Sequence, residues 1–158
     1  MAWIKSGSTT VDSGDDCDID SMGEKNFMQI MTSVITSGDT FGRIRYNADD
    51  DNVYNRRGSS NGGSEFTGQM TEIENTHNTD TDKFTVSYLC DIASQEKLQI
   101  LSYMDNGATG AGTAPNRMEF TFKYVPDPTA RITSVQLYNT EPAGSFTTGT
   151  NLTVLGTD

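Results

Sequence analysis

The chain has 158 residues, the length of one domain, and carries 22 acidic against 11 basic residues for a net charge of −11. Such a field repels nucleic-acid phosphates and anionic lipid heads, which argues against nucleic acid and membrane insertion alike. Gly, Ser, Thr, Asn and Asp are plentiful throughout, and these residues favour turns and short strands over long helices.

In chain order, the opening Met1-Ala-Trp-Ile-Lys-Ser-Gly lacks the apolar core of a secretory signal, so synthesis in a cytoplasm is expected. The sequon Asn151-Leu152-Thr153 then meets no glycosylation enzyme. Strands are expected at Trp3–Lys5, Cys17–Asp20, Asn26–Thr36, Phe41–Asn47 and Val53–Arg57. Phe27–Ile35 has apolar residues on both faces, which suits a strand covered on both sides or one facing a neighbouring subunit. A helix over Glu24–Val34 is the local alternative, and the β-branched run Thr32–Thr36 argues against it. Ser37-Gly38-Asp39 sits at hairpin spacing, and Asn61-Gly62-Gly63 closes another segment. Phe84, Val86, Tyr88 and Cys90 alternate with polar residues, and Leu98, Ile100 and Met104 continue the pattern, so these sets are expected to face the core. Asn106-Gly107 opens a long Gly/Ala/Thr loop that runs to Pro115. The clearest strand is Arg117–Val125, where Met118, Phe120, Phe122 and Tyr124 alternate with Arg117, Glu119, Thr121 and Lys123. Pro126-Asp127-Pro128 forces a turn before Ile132. Val135 and Leu137 form a short face, Pro142–Thr150 a polar excursion, and Leu152, Val154 and Gly156 the last face. The expectation is an all-β chain: one antiparallel β-sandwich domain over residues 1–158, with about 8–10 strands.

Catalytic signals are weak. His77 is the single histidine and lies in the polar stretch Asn75–Asp80, which reads as an exposed loop. No CxxC, HExxH, GxSxG or P-loop occurs. Cys17 and Cys90 sit among apolar alternates and read as buried free thiols, with acidic neighbours holding Cys17 in its unreactive form. The expectation is a protein that is not an enzyme and needs no cofactor. Calcium is the one ion worth weighing, because carboxylates on loops suit it. Asp16, Asp18 and Asp20 alternate with Cys17 and Ile19, which describes a strand with a solvated acidic face. Asp49, Asp50 and Asp51 form a looser loop and are the candidate calcium ligands. They equally suit ion pairs with Arg43, Arg45, Arg56 and Arg57, four of the eleven cations in one window. Those arginines, with Tyr54, are the candidate subunit or receptor contact, since Arg is enriched at interfaces. For a host-surface glycan, Tyr46, Tyr54 and Tyr138 are the candidate aromatics, while Trp3 reads as an N-terminal anchor.

Arg43-Ile44-Arg45-Tyr46-Asn47, Tyr54-Asn55-Arg56-Arg57 and Asn61-Gly62-Gly63 resemble a pattern in small structural proteins of tailed phages and environmental viruses. The C-terminal part is similar to the ending of that family: Arg117-Met118-Glu119-Phe120, Ile132-Thr133-Ser134-Val135-Gln136-Leu137, Gly144-Ser145-Phe146-Thr147-Thr148-Gly149-Thr150 and Leu152-Thr153-Val154-Leu155-Gly156, and the opening Met1-Ala-Trp-Ile-Lys also resembles theirs. The acidic runs Asp15–Asp20 and Asp49–Asp51 depart from it, as does Thr150 after the Gly-x-Phe turn. The resemblance implies a jelly-roll-like sandwich on the exterior of a virion. It would serve as a capsid decoration, head-fibre or tail-associated subunit, often a homotrimer, docked to a major capsid or tail protein. A receptor- or glycan-binding fibre-tip module and a non-viral carbohydrate-binding or adhesion domain are the alternatives.

Overall fold

The computed structural model describes residues 2–11, 13–108, 110–126 and 130–158. The expected turn at Asp127-Pro128, Thr109 of the long loop and the initial Met1 lie outside them. Among the described residues there is no helix, and all strand pairings are antiparallel. The described residues form fourteen strands, twelve of them in the two sheets of a β-sandwich. They are β1 (Ile4–Thr10), β2 (Ser13–Gly14), β3 (Asp16–Ile19), β4 (Phe27–Val34), β5 (Gly42–Tyr46), β6 (Tyr54–Ser60) and β7 (Phe66–Met70). Then come β8 (Ile73–Glu74), β9 (Lys83–Cys90), β10 (Lys97–Asp105), β11 (Asn116–Tyr124), β12 (Val135–Asn139), β13 (Phe146–Thr147) and β14 (Asn151–Thr157). The large sheet has eight strands in the order β1-β14-β4-β9-β10-β11-β6-β7, and the small sheet four, β3-β12-β5-β8. β2 and β13 form a separate two-stranded piece.

The ten expected strands are all present. The additional four are β7 and three two-residue pieces too short to leave a periodic signal. Segment 27–34 is a strand rather than a helix. Ser37-Gly38-Asp39 does not close a hairpin, because it carries the chain from β4 in the large sheet to β5 in the small one. Asn61-Gly62-Gly63 does turn β6 into β7, with Asn61 and Gly62 both at positive φ, as a tight hairpin turn requires.

β11 behaves as its alternation dictates, with Phe120, Phe122 and Tyr124 buried and Met118 packed at the margin. Phe120 lies over Gly58 of β6, where a Cβ would sit 2.3 Å from the ring, so glycine is what lets the ring lie flat on that strand. Tyr124 stacks on Tyr54 at 4.7 Å between centroids and tilts against Tyr46 of the small sheet at 5.6 Å. This tyrosine trio therefore ties the two layers together. Each buried ring contributes roughly 1.5–3 kcal/mol from its apolar area.

β9 and β10 reverse the expected faces. Phe84, Tyr88, Leu98, Ile100 and Met104 point outward and are exposed, and Val86 and Cys90 are half-buried on that same outer side. The core face is Lys83, Thr85, Ser87 and Leu89 on β9, and Lys97, Gln99, Leu101, Tyr103 and Asp105 on β10. The ladder enforces this, since Leu101 lies opposite Phe120 and Gln99 opposite Phe122. Most of the buried polar atoms are partnered, the Gln99 amide nitrogen being an exception. Gln99 accepts the Tyr46 hydroxyl at 2.9 Å, Lys83 donates to Thr40 and to the Thr79 carbonyl, and Asp105 accepts from Tyr103, Asn116 and the Gly107 N–H.

Candidate interaction face

Four adjacent strands of the large sheet, β14, β4, β9 and β10, set the outer face. Their register makes a grid of four rows, each crossing β14, β4, β9 and β10. The first row is Thr157, Phe27, Cys90 and Leu98, and the second is Leu155, Gln29, Tyr88 and Ile100. The third row is Thr153, Met31, Val86 and Ser102, and the fourth is Asn151, Ser33, Phe84 and Met104. None of these sixteen positions is Asp, Glu, Lys or Arg, in a chain with 33 such residues. Leu98 and Ile100 are 58% and 57% exposed. Trp3 leans over the first row, where it borders a groove of about 540 Å³ together with Phe27, Tyr88, Leu98 and Ile100. Ten of the sixteen grid positions are apolar, and exposed apolar surface gathered on one face in this way marks candidate interaction sites.

Charge returns at both lateral borders: Lys5 of β1, exposed, lies opposite Leu155, and β11 carries three charged residues on the other side. On β11, Lys123, Glu119 and Arg117 face outward beside Leu98, Ser102 and Met104. Each cation there is paired within the chain: Lys123 with Glu96 at 3.2 Å, Arg117 with Glu119 at 3.7 Å, and Arg57 of β6 with Glu65 at 2.6 Å. The arrangement is an uncharged centre with charged residues at its lateral borders.

The residues singled out from sequence divide differently. Arg43, Arg45 and Arg56 do converge, but on Glu72 and Glu74 rather than on Asp49, Asp50 and Asp51. Arg43 lies 3.4 Å from Glu72 and 3.3 Å from Glu74, and Arg56 of the large sheet reaches Glu74 of the small one. Burial lowers the affinity of the Arg43 guanidinium for its proton, and Glu72 beside it pulls in the opposite direction. Arg43 also covers the Phe41 ring at 3.6 Å, and Arg45 covers Tyr138 at 4.6 Å. These three arginines clamp the sandwich edge, and only Arg57 of the four is largely exposed. Glu72 and Glu74 were missed because they lie almost thirty residues from Arg43 and Arg45, with no periodic signal joining them.

Tyr54 is not a surface contact. It is wholly buried, and its hydroxyl accepts the Tyr46 N–H at 3.0 Å and donates to the Asp49 carbonyl at 3.3 Å. Tyr46 is equally buried, and the Tyr138 hydroxyl is engaged by Glu72, so the three tyrosines considered for a glycan form no exposed platform. The Asp49 carboxylate accepts from the Tyr124 hydroxyl at 3.2 Å and from the Asp51 N–H at 3.1 Å, while Asp50 and Asp51 are exposed. Among the described residues, no three His, Cys, Asp or Glu side chains converge to hold a metal ion.

His77 is exposed, with its ring 6.5 Å from that of Phe41. Its neighbours Asn75 and Thr76 are buried, contrary to the exposed loop expected there. The Asn75 amide donates to Thr32 at 2.9 Å, and the Thr76 hydroxyl accepts the Gly42 N–H at 2.7 Å. Both cysteines are free: Cys17 is buried, and Cys90 is half-buried on the outer grid. Desolvation pushes the Cys17 thiol up to about 11, with Asp18 adding to the rise against hydrogen bonds from the Leu152 backbone and Thr9. In a Cys90→Ser variant at pH 8, the remaining thiol should give no reaction with a chromogenic disulfide until denaturant is added. Prompt labelling of the folded protein would show that Cys17 is accessible.

The chain matches no family model, no curated protein and no solved structure.

Proposed function

We propose that this chain is a non-catalytic structural subunit on the exterior of a tailed-virus particle, docked to a major capsid or tail protein. The observation that carries the reading is the outer face of β14, β4, β9 and β10, an uncharged apolar surface on a chain of net charge −11. A protein that works by being assembled needs a face to bury and a soluble remainder, and the charge distribution supplies both. The lone exposed histidine and the proton-retaining buried thiol fit a subunit that turns nothing over. The motif resemblance of the C-terminal part to tailed-phage structural proteins supports the viral setting.

The test is particle proteomics on the virus–host system that yields this sequence. Density-banded particles should contain peptides of the chain in constant ratio to the major capsid protein, and an antibody raised against it should decorate intact particles. Recovery of the chain only in the soluble lysate would overturn the reading.

A further inference from the structure

We infer that the outer grid of the large sheet is covered by the same grid of a second copy, about a two-fold axis. This rests on the reading of the chain as an assembly subunit and names the partner of that face. The first support is charge. Two copies each carrying −11 repel across any surface that shares the acidic bias, and the grid lets them meet with no carboxylate in the contact. The second is size. Four strands about 4.8 Å apart and eight residues long at about 3.3 Å each give a flat footprint of roughly 500 Å². Side-chain relief and the Trp3 ring add to this footprint, to be set against the roughly 800 Å² per partner of a stable pair.

The third is shape. Consider an axis in the plane of the contact, running across the strands between the Tyr88 row and the Val86 row. It lays each strand antiparallel over its own copy. Tyr88 then faces Val86, Ile100 faces Ser102, Phe27 faces Ser33, Phe84 faces Cys90, and Leu155 faces Thr153. Large side chains meet smaller ones on all four strands, and Leu98 meets Met104 as an apolar pair. This is the self-complementarity that an isologous contact requires, and such a contact closes at two copies. Face-to-face sheets pack in this way with strands within about 30° of alignment.

Light scattering on the full chain eluting from size exclusion at micromolar concentration tests the inference. The expected mass is twice 17.2 kDa. Ile100→Glu and Leu98→Lys, of opposite charge and both at exposed positions, should each give a folded monomer with the wild-type circular dichroism spectrum. Ala143→Glu, on an exposed turn away from the grid, should leave the dimer intact. A wild-type monomer, a mass of three copies, or a dimer indifferent to both grid substitutions would overturn the inference. A monomer that is nevertheless found in purified particles would leave the assembly reading standing and assign the face to a different virion protein.

Discussion

Asp91→Ala should destabilise the fold by about 3–5 kcal/mol, seen as a large drop in the urea midpoint. Asp91 follows β9 and is wholly buried. Its carboxylate lies 3.2 Å from the Lys97 ammonium on one side and 3.2 Å from Arg131 Nε on the other, and it accepts the Ile132 N–H at 3.0 Å. Lys97 is also wholly buried, and its further contact is the Ile92 carbonyl at 2.7 Å. Without Asp91, the Lys97 charge is stranded in the core and the segment entering the small sheet loses its anchor. Burying an unpaired charge costs far more than a buried pair contributes, so the sign is secure whatever the pair is worth. Lys97→Met should cost less, because Asp91 keeps Arg131 and the Ile132 N–H. If Lys97→Met proved the more damaging change, Asp91 would not be the hub of this network.

The same network shows what the sequence left hidden. β11 was legible because one side of its alternation is uniformly large and apolar and the other uniformly polar. In β10 that contrast fails: Leu98, Ile100 and Met104 compete with Leu101 and Tyr103, and period two alone favours the side with more apolar residues. The tie is decided by long-range partners. Asp91 and Tyr46 come from a loop and from the other sheet, and they make Lys97 and Gln99 affordable in the core. Such pairings leave no trace in local pattern, and neither does the convergence of Glu72 and Glu74 on three arginines. The uncharged outer face was half legible. Apolar residues on both sides of 27–35 suited a strand covered on both sides or one facing a neighbour, but only the register of four strands reveals that their outer positions share one uncharged surface.

Stability should stay nearly level from pH 8.5 to 10 and then collapse near pH 11. Three kinds of buried group set this course. Desolvation lowers Lys83 to about 8, against an unfolded value of about 10.4, with Asp105 and three further carboxylates partly offsetting it. Between those values the unfolded chain binds more protons than the folded one, so Lys83 makes stability rise with pH. Cys17 does the reverse: its thiol holds its proton to about 11 when folded but releases it at about 8.5 when unfolded, so stability falls across nearly the same window. The two slopes oppose each other. Above pH 10 the tyrosines decide the outcome. Tyr46, Tyr54, Tyr103 and Tyr124 are buried and desolvation raises all four, whereas unfolded phenols ionise near 10. At pH 11 each contributes about 1.4 kcal/mol to unfolding, and four together about 5–6 kcal/mol, comparable to the whole stability of many domains. Melting temperatures taken every half unit of pH, with phenolate absorbance as the second probe, should show the plateau and one cooperative loss. Lys83→Met should convert the plateau into a fall, and Cys17→Ala should convert it into a rise. A wild-type decline beginning at pH 8.5 that Lys83→Met leaves unchanged would mean that the buried lysine keeps its proton.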